Sequence, residues 1–164
     1  MSKSKIIALT ALITFALATV GVSNAVAAER FKLRTAKYAD VWKQIDVEEG
    51  HIIVVEEAKG IVSNMEGKPF GEGWVLRHVG LFDINTKTGV AFAHGYEETT
   101  DKDGDKYYAK WQGKAVKNGY WEGEYSILKG TGKYEGITGK GTWRAITVAP
   151  RQWYTDEIWE MELP

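Results

Sequence analysis

The sequence has 164 residues, of which 26% are charged and 44% hydrophobic, with 12% aromatic side chains, 18 glycines and no cysteine. A net charge of −1, with lysines and acids interspersed, leaves no sustained basic stripe and argues against a nucleic-acid partner. The missing thiols exclude disulfides, Cys-ligated zinc, iron–sulfur clusters and a cysteine nucleophile, so stability has to come from packing.

Residues 1–28 read as a secretory signal peptide. Lys3 and Lys5 make a short positive start, Ile6 to Val22 is an uncharged and mostly apolar run, and small residues surround Ala25-Val26-Ala27-Ala28 before Glu29. A membrane anchor is the competing reading. However, Thr10, Thr14, Thr19 and Gly21 interrupt the run, and it is short against the ~20 apolar residues of a spanning helix. Removing this segment takes away two lysines and no acid, moving the net charge from −1 to −3. It leaves 29–164 as a single domain, expected to be secreted or periplasmic, with no membrane segment after cleavage.

Beyond the signal, Gly, Asn and Asp turn signals separate runs rich in Val, Ile, Thr, Tyr and Trp, and no apolar stripe of period 3.6 appears. The expected strands are Val41 to Val47, His51 to Asn64, Trp74 to Asn85, Gly89 to Thr99, Asp105 to Val116, Tyr120 to Lys129, Gly141 to Val148 and Thr155 to Leu163. This predicts an all-β fold, an eight-stranded antiparallel up-and-down barrel whose closure removes exposed edges. A two-sheet sandwich is the alternative.

Because side chains alternate between faces, the apolar phase predicts register. Trp74, Leu76, His78, Gly80, Phe82 and Ile84 form one inward set, and Val90, Phe92, His94, Tyr96 and Glu98 form the next if Asn85 pairs with Gly89. A Thr100–Asp105 pair then puts His94 opposite Trp111 and Tyr96 opposite Ala109. A loop Lys117-Asn118-Gly119, with Gly119 left-handed, sets Trp111 against Tyr125 and Ala109 against Ile127. Glycine and alanine among aromatic side chains favour an interior cavity.

The segment Gly130-Thr131-Gly132-Lys133-Tyr134-Glu135-Gly136-Ile137-Thr138-Gly139-Lys140-Gly141, followed by Thr142-Trp143-Arg144, resembles the glycine-rich signature of allene oxide cyclase-like and dirigent-like barrels. The glycines of that signature serve turns and close approach. The resemblance implies an antiparallel barrel with an apolar, aromatic-lined cavity, often a trimer, whose members bind small hydrophobic molecules and steer cyclisation or radical coupling. The acidic and Asn-bearing motif of the plant cyclases has no counterpart in Val41 to Asn64, so no catalytic residue is carried over. A phosphate-binding reading of the same glycines lacks the required βαβ context.

The candidate chemistry lies in the interior. His78 and His94 with Tyr96 would place titratable groups on adjacent strands, a general base beside an oxyanion donor, unless both histidines are simply hydrogen-bonded core residues. Glu56 and Glu57 interrupt an apolar run; one of them facing inward would suit an acid or base. Trp74, Phe92, Trp111 and Tyr125 are the candidate ligand-stacking rings. A metal site would need both histidines and Glu56 or Glu98 at one point, and no metal or other cofactor is expected. Asp101, Asp103 and Asp105 around Gly104 do not match an EF-hand and read as a polar turn.

Three functions fit these residues. The first is an exported barrel binding a small hydrophobic or aromatic molecule. The second is a cavity-based isomerase, cyclase or lyase in which His78, His94, Tyr96 or Glu56 moves a proton. The third is a structural or interaction protein, favoured if Trp42, Trp121 and Trp153 form one exposed patch.

Overall fold

A computed structural model describes residues 27–164. The expected signal peptide lies outside the described residues, apart from its last two positions. Period-two alternation runs through nearly every segment, and each run is a strand. These are β1 (Glu29–Glu48), β2 (His51–Asn64), β3 (Val75–Asn85), β4 (Ala91–Thr100), β5 (Lys106–Lys117), β6 (Tyr120–Gly130), β7 (Thr138–Ala149) and β8 (Gln152–Glu162). Each strand pairs antiparallel with its sequence neighbours, and β1 pairs with β8 to close the barrel. The eight-stranded barrel is therefore the fold, and the sandwich is not.

β1 is much longer than the expected Val41–Val47 run. Its first half sends Phe31, Leu33, Thr35, Lys37 and Ala39 inward. Polar Thr35 and Lys37 in the inward phase hide the apolar period from a sequence reading. A bulge between Ala39 and Val41 then shifts the phase, so that Trp42 sits opposite Glu56 while Val41 and Ile45 are exposed.

Register follows the expectation at β5–β6, where Trp111 faces Tyr125, Ala109 faces Ile127 and Gly119 is left-handed at φ 73°. The two preceding hairpins differ by one residue. The Asn85 N–H donates to the Val90 carbonyl, and Ile84 pairs with Ala91. This one-residue slip turns the whole of β4 over. Ala91, Ala93, Gly95, Glu97 and Thr99 are buried, whereas Phe92, His94 and Tyr96 are on the outer wall. The space needed by Trp111 explains the choice. Its indole lies against Gly80 and Gly95, and a Cβ at Gly95 would collide with both that ring and the Val79 carbonyl oxygen. A large side chain of β4 cannot occupy that layer.

The two ends of the barrel differ. At the end holding the β2–β3 connection, Phe31 stacks on Phe70 at 4.0 Å, Phe70 meets Trp74 edge-on at 4.5 Å, and Trp74 meets Tyr134 at 5.7 Å. The glycine-rich segment clasps this plug. Its Lys133 pairs with Asp101 and Asp103, and its Tyr134 hydroxyl donates to Asp101 Oδ2 at 3.0 Å. Asp101 Oδ1 accepts the backbone N–H groups of Asp103 and Asp105. The acidic loop is thus a polar turn whose carboxylates hold a lysine ammonium. At the opposite end, four hairpin tips surround an opening.

The inverted phase of β4 can be checked by two substitutions. Gly95→Ala should lower the unfolding free energy by about 3 kcal/mol through overpacking, whereas Tyr96→Ser on the outer wall should stay within about 0.5 kcal/mol of wild type in urea melts.

Candidate functional site

The barrel interior holds an unusual number of ionisable groups. Lys37 of β1, Glu56 of β2, His78 of β3, Glu97 of β4 and Glu157 of β8 all point inward and are buried. Lys37 Nζ donates to Glu97 Oε2 at 2.9 Å and to the Tyr125 hydroxyl at 3.3 Å. Both members of that ion pair have side chains only 1% exposed. The imidazole of His78 lies between two carboxylates, Nε2 3.3 Å from Glu56 Oε1 and Nδ1 3.5 Å from Glu97 Oε2. Neither nitrogen reaches hydrogen-bond geometry, and Glu56 Oε1 has no donor. Glu157 accepts the Thr35 hydroxyl and the Trp159 indole N–H, both at 2.8 Å.

Burial opposes ionisation of Glu97, but the Lys37 ammonium, followed by His78, outweighs it and holds this carboxyl below its ordinary range. Glu157 has no such partner. Burial first, and the negative Glu97 second, push its carboxyl up to about 7. Burial also raises the phenol of Tyr125 well above its usual value, so it serves as a neutral donor and acceptor.

Above Lys37, Glu56, His78 and Tyr125 lies a pocket of about 130 Å³ that opens at the hairpin end. Its walls are aromatic, formed by Trp42, Phe82, Trp111, Trp121, Trp143 and Trp153. The His78 ring is stacked on Trp111 at 4.5 Å, and Phe82 meets Trp121 edge-on at 5.4 Å. Trp42, Trp121 and Trp153 therefore gather around the opening and line the same pocket, with Trp121 and Trp153 packed against the core.

Of the residues expected from sequence, the structure brings together Glu56, His78, Trp111 and Tyr125. Glu56 is the buried member of its pair; Glu57 is on the outside and meets Arg77 at 3.3 Å. The slip in β4 removes His94, Tyr96 and Phe92 from the interior, so the expected His78–His94–Tyr96 cluster does not exist. A metal site from two histidines fails for the same reason. Among the described residues no three His, Asp or Glu side chains are grouped to hold a metal ion. Trp74 is buried in the plug at the closed end and does not line the pocket. The sequence reading missed Lys37, Glu97 and Glu157. The signal was a charged residue in the inward phase, as in Thr155-x-Glu157-x-Trp159-x-Met161.

No protein-family model matches this sequence, and no curated protein does. Among solved structures it is similar to the pterocarpan synthase dirigent protein GePTS1, with a TM-score of 0.52, 10% identity, and coverage of 84% of this chain and 91% of that one. At this identity the likeness shows the fold. The chain shares the closed eight-stranded barrel fold of that dirigent protein, the fold its glycine-rich segment suggested.

The raised carboxyl of Glu157 has a signed consequence. The protonated form is favoured by folding, so its contribution is complete below the ordinary glutamate range and is lost as pH rises through about 7. Glu97, shifted the other way, loses its contribution only in acid. Glu157→Gln should therefore flatten the stability profile, leaving the variant up to about 3 kcal/mol more stable than wild type at pH 8.5 but only about 1 kcal/mol more stable at pH 5.5, with parity below the ordinary glutamate range. Urea melts at the two pH values measure this; an unchanged alkaline decline in the variant would assign that decline to another group.

Proposed function

We propose that the protein is an exported barrel that takes a small hydrophobic or aromatic molecule into its open end. The observation that carries this reading is the pocket itself, which joins aromatic walls to a buried polar floor with unpartnered atoms at Glu56 and His78. Pockets of that composition are the usual form of small-molecule sites. The export rests on the N-terminal segment. Self-association, which the dirigent-like resemblance implies as a trimer, has an available surface in the exposed Val41, Ile45, Val79, Leu81, Phe92 and Tyr96 of the outer wall.

A second reading is favoured by one feature of the floor. His78 lies between Glu56 and Glu97, so a proton could move from a bound molecule to the Glu56 oxygen that receives no hydrogen bond, with the imidazole alongside. This would make the barrel an isomerase, cyclase or lyase acting by general base catalysis. Trp42, Trp121 and Trp153 gather around the opening, but Trp121 and Trp153 are half-buried against the core, so the three do not make the exposed patch that would favour a purely structural role.

Intrinsic tryptophan fluorescence titrated with benzyl alcohol, indole and cyclohexanol tests the pocket. Saturable quenching is expected for at least one, with a Kd of about 1 mM or tighter for roughly seven to nine non-hydrogen atoms. Ala145→Phe, which fills the pocket from β7, should weaken that binding at least about tenfold. Absence of saturable binding by all three would sink the proposal.

A further inference from the structure

We infer that the molecule this pocket takes is an organic cation, a protonated or quaternary amine on an apolar body about one ring in size, with Glu56 as its anionic partner. The inference rests on the pocket reading above. Among the described residues, the buried carboxyl groups away from the plugged end are those of Glu56, Glu97 and Glu157, and the buried ammonium is that of Lys37. Lys37 is taken by Glu97 and the Tyr125 hydroxyl, and the oxygens of Glu157 accept from Thr35 and Trp159. Glu97 Oε1 also lacks a hydrogen bond, but Glu97 has its lysine and does not line the pocket; Glu56, 1% exposed, faces the pocket with an oxygen that receives no hydrogen bond.

His78 is the group nearest Glu56, its Nε2 3.3 Å from Oε1, and it makes no hydrogen bond there. Its ring is stacked on Trp111 within 16° of parallel, and in that plane neither nitrogen aligns with a carboxylate oxygen. A buried carboxylate without a donor is costly, and a ligand N–H or N-methyl group would supply the missing charge. The walls suit the same occupant. Trp42, Phe82, Trp121, Trp143 and Trp153 present π-systems to the space above Glu56, and aromatic faces attract cations most strongly where water is excluded. Arg151, at the rim, is exposed to solvent, where screening weakens its repulsion. An anion would add a further negative charge beside Glu56. Size sets the body of the ligand, because an engineered cavity of about 150 Å³ holds one benzene and this pocket is about 130 Å³.

Benzylammonium, benzyl alcohol and benzoate share one ring and differ in charge. Titrated into the protein at pH 7 by calorimetry and tryptophan fluorescence, benzylammonium should bind at least about tenfold more tightly than benzyl alcohol, and benzoate more weakly than either. Glu56→Gln should bring benzylammonium to the level of the alcohol and leave the alcohol within about twofold, with near-UV circular dichroism confirming the fold. The wild-type rank order decides the matter even if that variant does not fold. If benzyl alcohol or benzoate binds as tightly as benzylammonium, the cation is overturned while the pocket reading stands. If none of the three binds, both fall together.

Discussion

The buried pair of Lys37 and Glu97 is the interaction on which the interior depends. The two residues belong to β1 and β4, which are not neighbours in the sheet, so their 2.9 Å contact crosses the lumen and ties facing walls together. Breaking such a pair by removing one partner costs about 3–5 kcal/mol, because the other charge is left buried alone. The rest of the polar floor is arranged around it. Tyr125 is fixed by the lysine, His78 is drawn to the same glutamate, and Glu157 is made reluctant to ionise by that glutamate's charge.

That pair also explains what could and could not be read from the sequence. Strand number, closure and the β5–β6 register are legible because turn glycines and period-two runs encode them locally. His78, Trp111 and Tyr125 are legible because their strands alternate, whereas Glu56 is legible only as one of a pair with Glu57, since Ile52 to Val55 does not alternate. β4 is not, since its outer wall carries Phe92 and Tyr96 while its inner wall carries Ala93, Gly95 and Glu97. Hydrophobicity points the wrong way there; only the bulk of Trp111 on the neighbouring strand reveals that glycine must face it. Lys37 and Glu97 each look like surface residues alone. Their burial is intelligible only as a pair, separated by 60 positions in the chain.

The glycine-rich segment illustrates a separation of roles. It is the most recognisable stretch of the sequence, and it lies at the plugged end, where Gly132 lets the chain approach Asp105 and Lys133 and Tyr134 lock onto Asp101. It secures the fold and touches none of the pocket. The pocket is built from residues scattered over β1, β2, β3, β5, β6, β7 and β8, with no contiguous motif. The recognisable stretch and the pocket thus lie at opposite ends of the barrel, so the one says nothing about what the other does.

The aromatic plug of Phe31, Phe70, Trp74 and Tyr134 makes the barrel a cup and not a conduit. Whatever enters past Trp42, Trp121 and Trp153 has to leave by the same rim. Nothing can be handed through from one end to the other.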